Sequence, residues 1–367
     1  MGEKIIANFQ LPMKPALAFL LYLLSVEMHA GIIGKYYRGK LDTCEMEMTL
    51  EFDTTGRVNG FYHIIGVNRM DYVHGNVNDS IGMKLNDYRY STEHHRYLLA
   101  GEFRMEKLKE GFHGKWKSDD SISIENAWMA EINDGNGAFY SMGNVASNQK
   151  FMSWADGEYT HEHCAIEYLE VNLPDSEKCS ALNQSIFGDL IPNDFAGYPY
   201  HSSAKYPDYK GLAVGFNLNA WYDGRYGECS GYTWDGSCGV EWNGSGILSY
   251  YTEECDYFGG AHGCWQIANH CYDLRNGKQI TLDDIFYGNY LYVLQDKVNQ
   301  HLDNADLRAI KAAEVTENFF VTPDGICFQY NPYEIGCYMQ GSQTSFIPWS
   351  ELNSYIDPKG PMAWVKK

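Results

Sequence analysis

Between residues 31 and 133 apolar side chains recur at every second position in short runs broken by turn residues, a spacing that leaves few folds open. Glu45-Met46-Glu47-Met48-Thr49-Leu50-Glu51-Phe52 alternates polar and apolar residues, the period of a half-buried strand. Asp53-Thr54-Thr55-Gly56 supplies a turn, and Val58 to Ile65 begins the next strand. Further strand-length segments follow at Tyr72 to Val77, Ser80 to Leu85, Tyr97 to Arg104 and Gly111 to Trp116. Glycine stands close to aromatics in Gly60-Phe61-Tyr62, Gly101-Glu102-Phe103 and Gly114-Lys115-Trp116, where strands can bend. Short strands so evenly spaced predict a small antiparallel barrel or strongly curved sheet, filled by its own side chains. A hollow barrel holding an apolar ligand is the alternative.

Residues 134–163 are rich in Gly, Asn and Ser in their first part and read as a connector. From Cys164 the pattern changes. Ala165 to Leu173 is strand-like, and Ser176 to Phe187 suits a short helix. Leu291, Leu294, Val298 and Leu302 share one helical face. Phe319 to Thr322, the turn Pro323-Asp324-Gly325, and Ile326 to Tyr330 form a hairpin pattern. Phe346 to Trp349 is a last strand, with Ser350-Glu351-Leu352 opening a terminal helix. The chain is therefore multidomain: an all-β antiparallel barrel-like domain over 31–133, then an α+β domain over 164–357. The α+β part divides into modules of about 164–250 and 251–357.

Pro15 to Val26 reads PALAFLLYLLSV, an uncharged apolar run after Lys14 and before Ala30. This is the pattern of a signal peptide over residues 1–30. Met13 offers a more compact start for it. The run is short for a bilayer span, which takes about twenty apolar residues. No second long apolar run occurs, so the reading is an exported protein, periplasmic or secreted, that is not transmembrane.

Export gives meaning to the ten cysteines, at 44, 164, 179, 229, 238, 255, 264, 271, 327 and 337. An even count in an oxidising compartment favours disulfides. The nine from Cys164, Cys179, Cys229, Cys238, Cys255, Cys264 and Cys271 to Cys327 and Cys337 stand in the second half as candidates. Local pairs Cys229–Cys238 and Cys327–Cys337 are plausible, and connectivity stays open. A net charge of −20 repels nucleic acid and anionic membrane and speeds encounter with cationic proteins. Acidity also serves solubility alone.

Ten tyrosines lie between Tyr198 and Tyr257, joined by Trp221, Trp234 and Trp242. Such rings cover sugars, anchor protein interfaces or simply line a wide sheet. His262-Gly263-Cys264 and His270-Cys271 bring possible zinc ligands together, but at no familiar zinc spacing. His161-Glu162-His163 lacks the i, i+4 spacing of a helical zinc site. No metal or cofactor is expected. No nucleophile elbow, phosphate loop or dinucleotide fingerprint occurs. A glycosidase needs two facing carboxylates, and 48 acidic residues satisfy that trivially.

Two segments carry a resemblance: YFGGAHGCWQIANHCYDLRNGKQITLDDIF from Tyr257 to Phe286, and NFFVTPDGICFQYNPYEIGCYMQGSQTSFIPWSEL from Asn318 to Leu352. They resemble the extracytoplasmic domain of RsiV-type lysozyme-sensing anti-sigma factors, also appended to some peptidoglycan deacetylases. With the module before them, the resemblance covers about 164–355. Gly259 and Gly260 would allow a close turn, and Gly277 a hairpin turn. His262, Tyr333 and Glu334 are the first polar residues to examine, with Tyr257, Trp265 and Trp234 as aromatic binding candidates. The resemblance implies a cell-envelope binding protein whose partner is lysozyme, another cell-wall hydrolase, or peptidoglycan. The alternatives are an enzyme on envelope glycans, with Glu334 or a nearby Asp as acid or base, and a structural envelope module. The chain departs from the anti-sigma type in lacking a sigma-binding segment and membrane span, and from the deacetylases in lacking their catalytic motifs.

Overall fold

The computed structural model describes residues 27–78, 82–91, 96–120, 122–152, 159–190, 233–257, 262–303 and 312–366. The apolar run 15–26, Gly259, Gly260, Cys229 and the tyrosine-rich stretch from Tyr198 to Tyr232 lie outside them.

The first eight strands are β1 (Glu27–Leu41), β2 (Cys44–Asp53), β3 (Arg57–Ile64), β4 (Met70–Asn78), β5 (Gly82–Ser91), β6 (Arg96–Leu108), β7 (Gly111–Ser118) and β8 (Ser123–Glu131). Each pairs antiparallel with the next, and β8 returns to β1 through Tyr37↔Glu131 to Leu41↔Ala127. The result is a closed up-and-down barrel. Its interior holds Tyr37, Met46, Met48, Leu50, Val58, Met83, Leu85, Phe103, Met105 and Phe112, all buried. Glycine is obligatory at Gly60 and Gly114, where a Cβ would strike the backbone of the preceding strand at Thr49 and Arg104.

Residues 134–163 differ from the connector read in composition. They hold β9 (Phe139–Met152) and the start of β10 (Tyr159–Asn172), paired in register from Phe139↔Asn172 to Met152↔Tyr159. Weak strand propensity is overridden by neighbours on both sides, since β9 also pairs with β1 from Glu27↔Ala146 to Gly34↔Tyr140. Glu27–Ala30, assigned to a leader by the sequence, thus continue β1. After helix α1 (Ser176–Leu190) come β11 (Thr233–Gly244), β12 (Ile247–Tyr257), β13 (Cys264–Asp273) and β14 (Lys278–Gln279). These extend one sheet from β9 through β10 to β14, with β10 and β11 parallel.

Asp175 starts α1 by accepting the Glu177 and Lys178 amides, both at 3.1 Å. Leu182 and Ile186 then face the sheet, packing on Leu169, Val171, Leu248 and Tyr272. At the far end Asp189 accepts the Tyr250 and Tyr272 hydroxyls at 2.5 and 2.7 Å.

The C-terminal part is a small α+β unit: α2 (Leu282–Ile285), α3 (Tyr290–His301), strands β15 (Phe319–Val321), β16 (Gly325–Tyr330) and β17 (Gln343–Pro348), and α4 (Trp349–Leu352). Along α3, Leu294 and Val298 are buried, with Leu302 just beyond it. Leu291 is exposed and Tyr290 takes the inner place, because the buried face steps by four residues through Tyr290, Leu294 and Val298.

The two halves are joined through polar groups on the outside of the barrel. Ser245 and Gly246, both at positive φ, form the two-residue β11–β12 turn. That turn puts Ser245 against Glu47, whose carboxylate accepts the Ser245 amide at 2.9 Å, the Ser245 hydroxyl, and the Tyr36 hydroxyl at 2.7 Å. His63 Nδ1 lies 3.1 Å away. Burial pushes the Glu47 carboxyl up, but hydrogen bonds from His63, Ser245 and Tyr36 overcome it and hold the group below its ordinary value. Asn243 bonds both the Ala138 backbone and Thr49. Among the described residues no helix is long and apolar enough to cross a membrane.

Candidate binding site

Strand β13 stands near the edge of the large sheet, and β14 pairs only with its last two residues, Tyr272 and Asp273. Two asparagine side chains bond that edge at Ile267 and Asn269. Asn331 Oδ1 accepts the Ile267 amide at 2.7 Å, and its Nδ2 donates to the Ile267 carbonyl at 3.0 Å. Asn318 donates to that carbonyl at 2.8 Å and accepts the Asn269 amide at 2.8 Å. Each side chain imitates a strand neighbour, so the segment after β16 is docked against β13.

That segment turns immediately. The Glu334 amide donates to the Asn331 carbonyl, and the Asn331 amide to Glu334 Oε2, both at 3.1 Å. The carboxylate offered by the sequence as an acid or base therefore serves its own turn. Tyr333 sits at φ +74°, a conformation L side chains adopt at a cost, and its ring is 63 % exposed. Buried Ile335 anchors the loop, and a short 3-10 turn, Tyr338–Gln340, follows.

The His262 ring stacks on Tyr338 at 4.0 Å and 17°. Its Nδ1 lies 2.8 Å from the Gly263 carbonyl, so that nitrogen carries a proton. Tyr333 lies 5.8 Å from Tyr338. Trp265, Tyr333 and Tyr338 line an open depression of about 320 Å³, with Cys264 and the polar groups Glu254, Gln266, Asn331 and Glu334. Gln266 donates to Glu254 at 3.1 Å.

The structure thus gathers His262, Trp265, Tyr333 and Glu334. Trp234 and Tyr257 are described in backbone only, as strand residues opposite Asp256 and Thr233. Gly277 occupies the β13–β14 turn at φ +71°. Tyr338, Gln266 and the two asparagines escaped the sequence reading; for the asparagines the reason is that a polar residue completing a sheet edge has no spacing signature.

No disulfide joins two of the described cysteines, and the local pair Cys327–Cys337 is not formed. Cys327 is buried in the β16 strand while Cys337 is exposed on the following loop. Cys238 and Cys271 are buried in different clusters, and burial pushes their thiols up to about 12 and about 11. Among the described residues, no group of three or more His, Cys, Asp or Glu is placed to hold a metal ion.

Residues 283–350 match the family model described as "Protein of unknown function (DUF3298)". This segment is a DUF3298 domain. Among solved structures, a DUF3298 family member from Bacteroides fragilis aligns with 63 % of this chain and 98 % of its own length, at 20 % identity and TM-score 0.51. A DUF3298 family protein from Pseudomonas aeruginosa covers 59 % of this chain and 94 % of its own, at 16 % identity and TM-score 0.42. The Bacteroides fragilis likeness is one of fold, and it reaches well beyond the DUF3298 segment itself. No curated protein matches the chain.

Proposed function

We propose that this chain is an exported binding protein of the cell envelope, RsiV-like over about 164–355, whose ligand sits in the depression beside the DUF3298 loop. The observation that supports it is the gathering of Trp265, Tyr333 and Tyr338 with Asn331, Gln266, Glu254 and Glu334 in one open hollow. Flat rings suit the apolar face of a sugar, and flanking amides and carboxylates suit its hydroxyls. Peptidoglycan glycan is accordingly the ligand of this reading. Export rests on the apolar run from Pro15 to Val26.

The test is calorimetric titration of the exported chain with peptidoglycan fragments. Trp265→Ala and Tyr333→Ala should each weaken binding at least about tenfold, the scale of losing one aromatic anchor. Undiminished affinity in both variants would sink the glycan reading.

A second reading is favoured by the net charge of −20: a cationic cell-wall hydrolase such as lysozyme as partner. Association should then slow steeply with salt. A rate that is the same at low and high salt would remove it.

A further inference from the structure

A second cluster lies away from the depression, where the barrel meets the rest of the chain. On the outer face of the β5–β6 pair, Tyr90 and Tyr97 are cross-strand partners with ring centroids 5.3 Å apart. Tyr97 meets Tyr72 of β4 edge-on at 5.0 Å and 81°. Tyr90, Tyr97 and Leu99 are each about half exposed, at 48, 49 and 47 %. These side chains leave an aromatic strip open to solvent on the outer face of the barrel.

Two carboxyls from elsewhere in the fold act on these tyrosines. Glu241 is the extra residue of a β-bulge: the β11–β12 register passes from Val240↔Tyr250 to Trp242↔Ser249 and skips it. Bulges re-aim a side chain out of the ladder, and the Glu241 charge is felt by both Tyr72 and Tyr97. Asp324 comes from the β15–β16 turn; its Oδ1 accepts the Met70 amide at 2.5 Å, and it too acts on both rings. No ion pair to Glu241 or Asp324 forms among the described residues; the nearby Arg69 and Arg89 are paired with Asp71.

Burial raises the Glu241 carboxyl and carries Asp324 to about 7, the latter with help from Asp71. Arg69 and His63 partly offset the Asp324 charge, whereas burial alone acts on Glu241, and a carboxyl withdrawn from water without an ion pair is costly. Tyrosine faces attract cations as well. An arriving positive charge would stabilise the Glu241 carboxylate and the tyrosine faces together.

We infer that Tyr72, Tyr90 and Tyr97, with Glu241 and Asp324, form a receptor for a single ammonium or guanidinium group, presented as a Lys or Arg side chain of a protein partner. The inference deepens the cationic-partner reading and names the surface that would hold the basic residue. It does not depend on the glycan depression.

The experiment titrates the full chain with N-acetyl-lysine amide, N-acetyl-arginine amide and, as the uncharged control, N-acetyl-glutamine amide, following the Tyr97 ring carbons by NMR. The two cations should produce saturable shifts within tens of millimolar, and the glutamine amide none. Glu241→Gln and Tyr97→Ala should each weaken cation binding at least about fivefold, in line with losing one cation–π or charge contact; for Tyr97→Ala the Tyr90 ring is the reporter. Trp265→Ala should leave it unchanged, which separates this site from the depression. Equal shifts with all three probes, no shift with any, or full affinity in a folded Glu241→Gln protein would overturn the inference. If the probes bind but a cationic protein does not, the site would be one for free amines and the protein-partner half of the inference falls.

Discussion

Tyr333 carries a backbone conformation that costs stability and a ring largely in solvent. Replacing it with glycine should relieve the left-handed φ while deleting the ring. Tyr333→Gly is therefore expected to gain about 1 kcal/mol in chemical denaturation and to lose glycan binding, an opposition that a merely structural tyrosine would not produce. Asp87 makes a different case. It lies inside the barrel, accepting the Tyr62 hydroxyl at 3.1 Å and the Trp116 indole at 3.0 Å. Burial, then the neighbouring Asp71, raises its carboxyl to about 6. Because the folded value exceeds the unfolded one, the stability linked to its proton is full below about pH 4 and lost as pH rises through 6. Thermal stability should fall between about pH 4 and 6.5, and Asp87→Asn should flatten that slope; an unchanged slope would count against the assignment. At this scale the sequence was legible where chemistry is exposed and local. His262, Trp265 and Tyr333 stand out as residue types. The burial of Asp87 and the separation of Cys327 from Cys337 arise only from tertiary packing.

Strands were legible where alternation is strict. The run Glu45 to Phe52 became β2, with Met46, Met48 and Leu50 inside the barrel. Alternation predicts a wet opposite face, yet Glu47 and Thr49 are buried as well, because β11 and its turn cover them. The hairpin over Phe319 to Tyr330 was legible from its turn residues. β9 was not, since its Gly, Asn and Ser content hides a strand that only its partners β1 and β10 stabilise. The β13 edge shows what such hidden partners do. Asn331→Ala should leave the Ile267 amide without its acceptor while Asn318 still holds the carbonyl, costing about 1–3 kcal/mol for a buried group left unpaired. Hydrogen exchange at Ile267 should accelerate before that of neighbouring β12 amides, and equal protection in variant and parent would refute the docking role of Asn331.

Across the whole molecule, barrel and second sheet are coupled by a buried acceptor rather than by apolar surface alone. Glu47→Ala would strand the Tyr36 and Ser245 hydroxyls and His63 together, a loss on the order of 3–5 kcal/mol. Denaturation followed at barrel and C-terminal tryptophans should then split into two transitions, whereas coincident curves would show the halves held by other contacts. The division into a β domain followed by an α+β one was legible in composition and period; the interface was not, for it joins Glu47 to Ser245 across nearly two hundred residues. Strand β1 has a further consequence. Its first half belongs to the second sheet and its last residues close the barrel, so the same backbone is stave and beam at once. No linker separates the two along this strand: the backbone that closes the barrel at Leu41 is the backbone that carries β9 at Glu27. A cut or insertion in β1 would therefore disturb the barrel and the long sheet together.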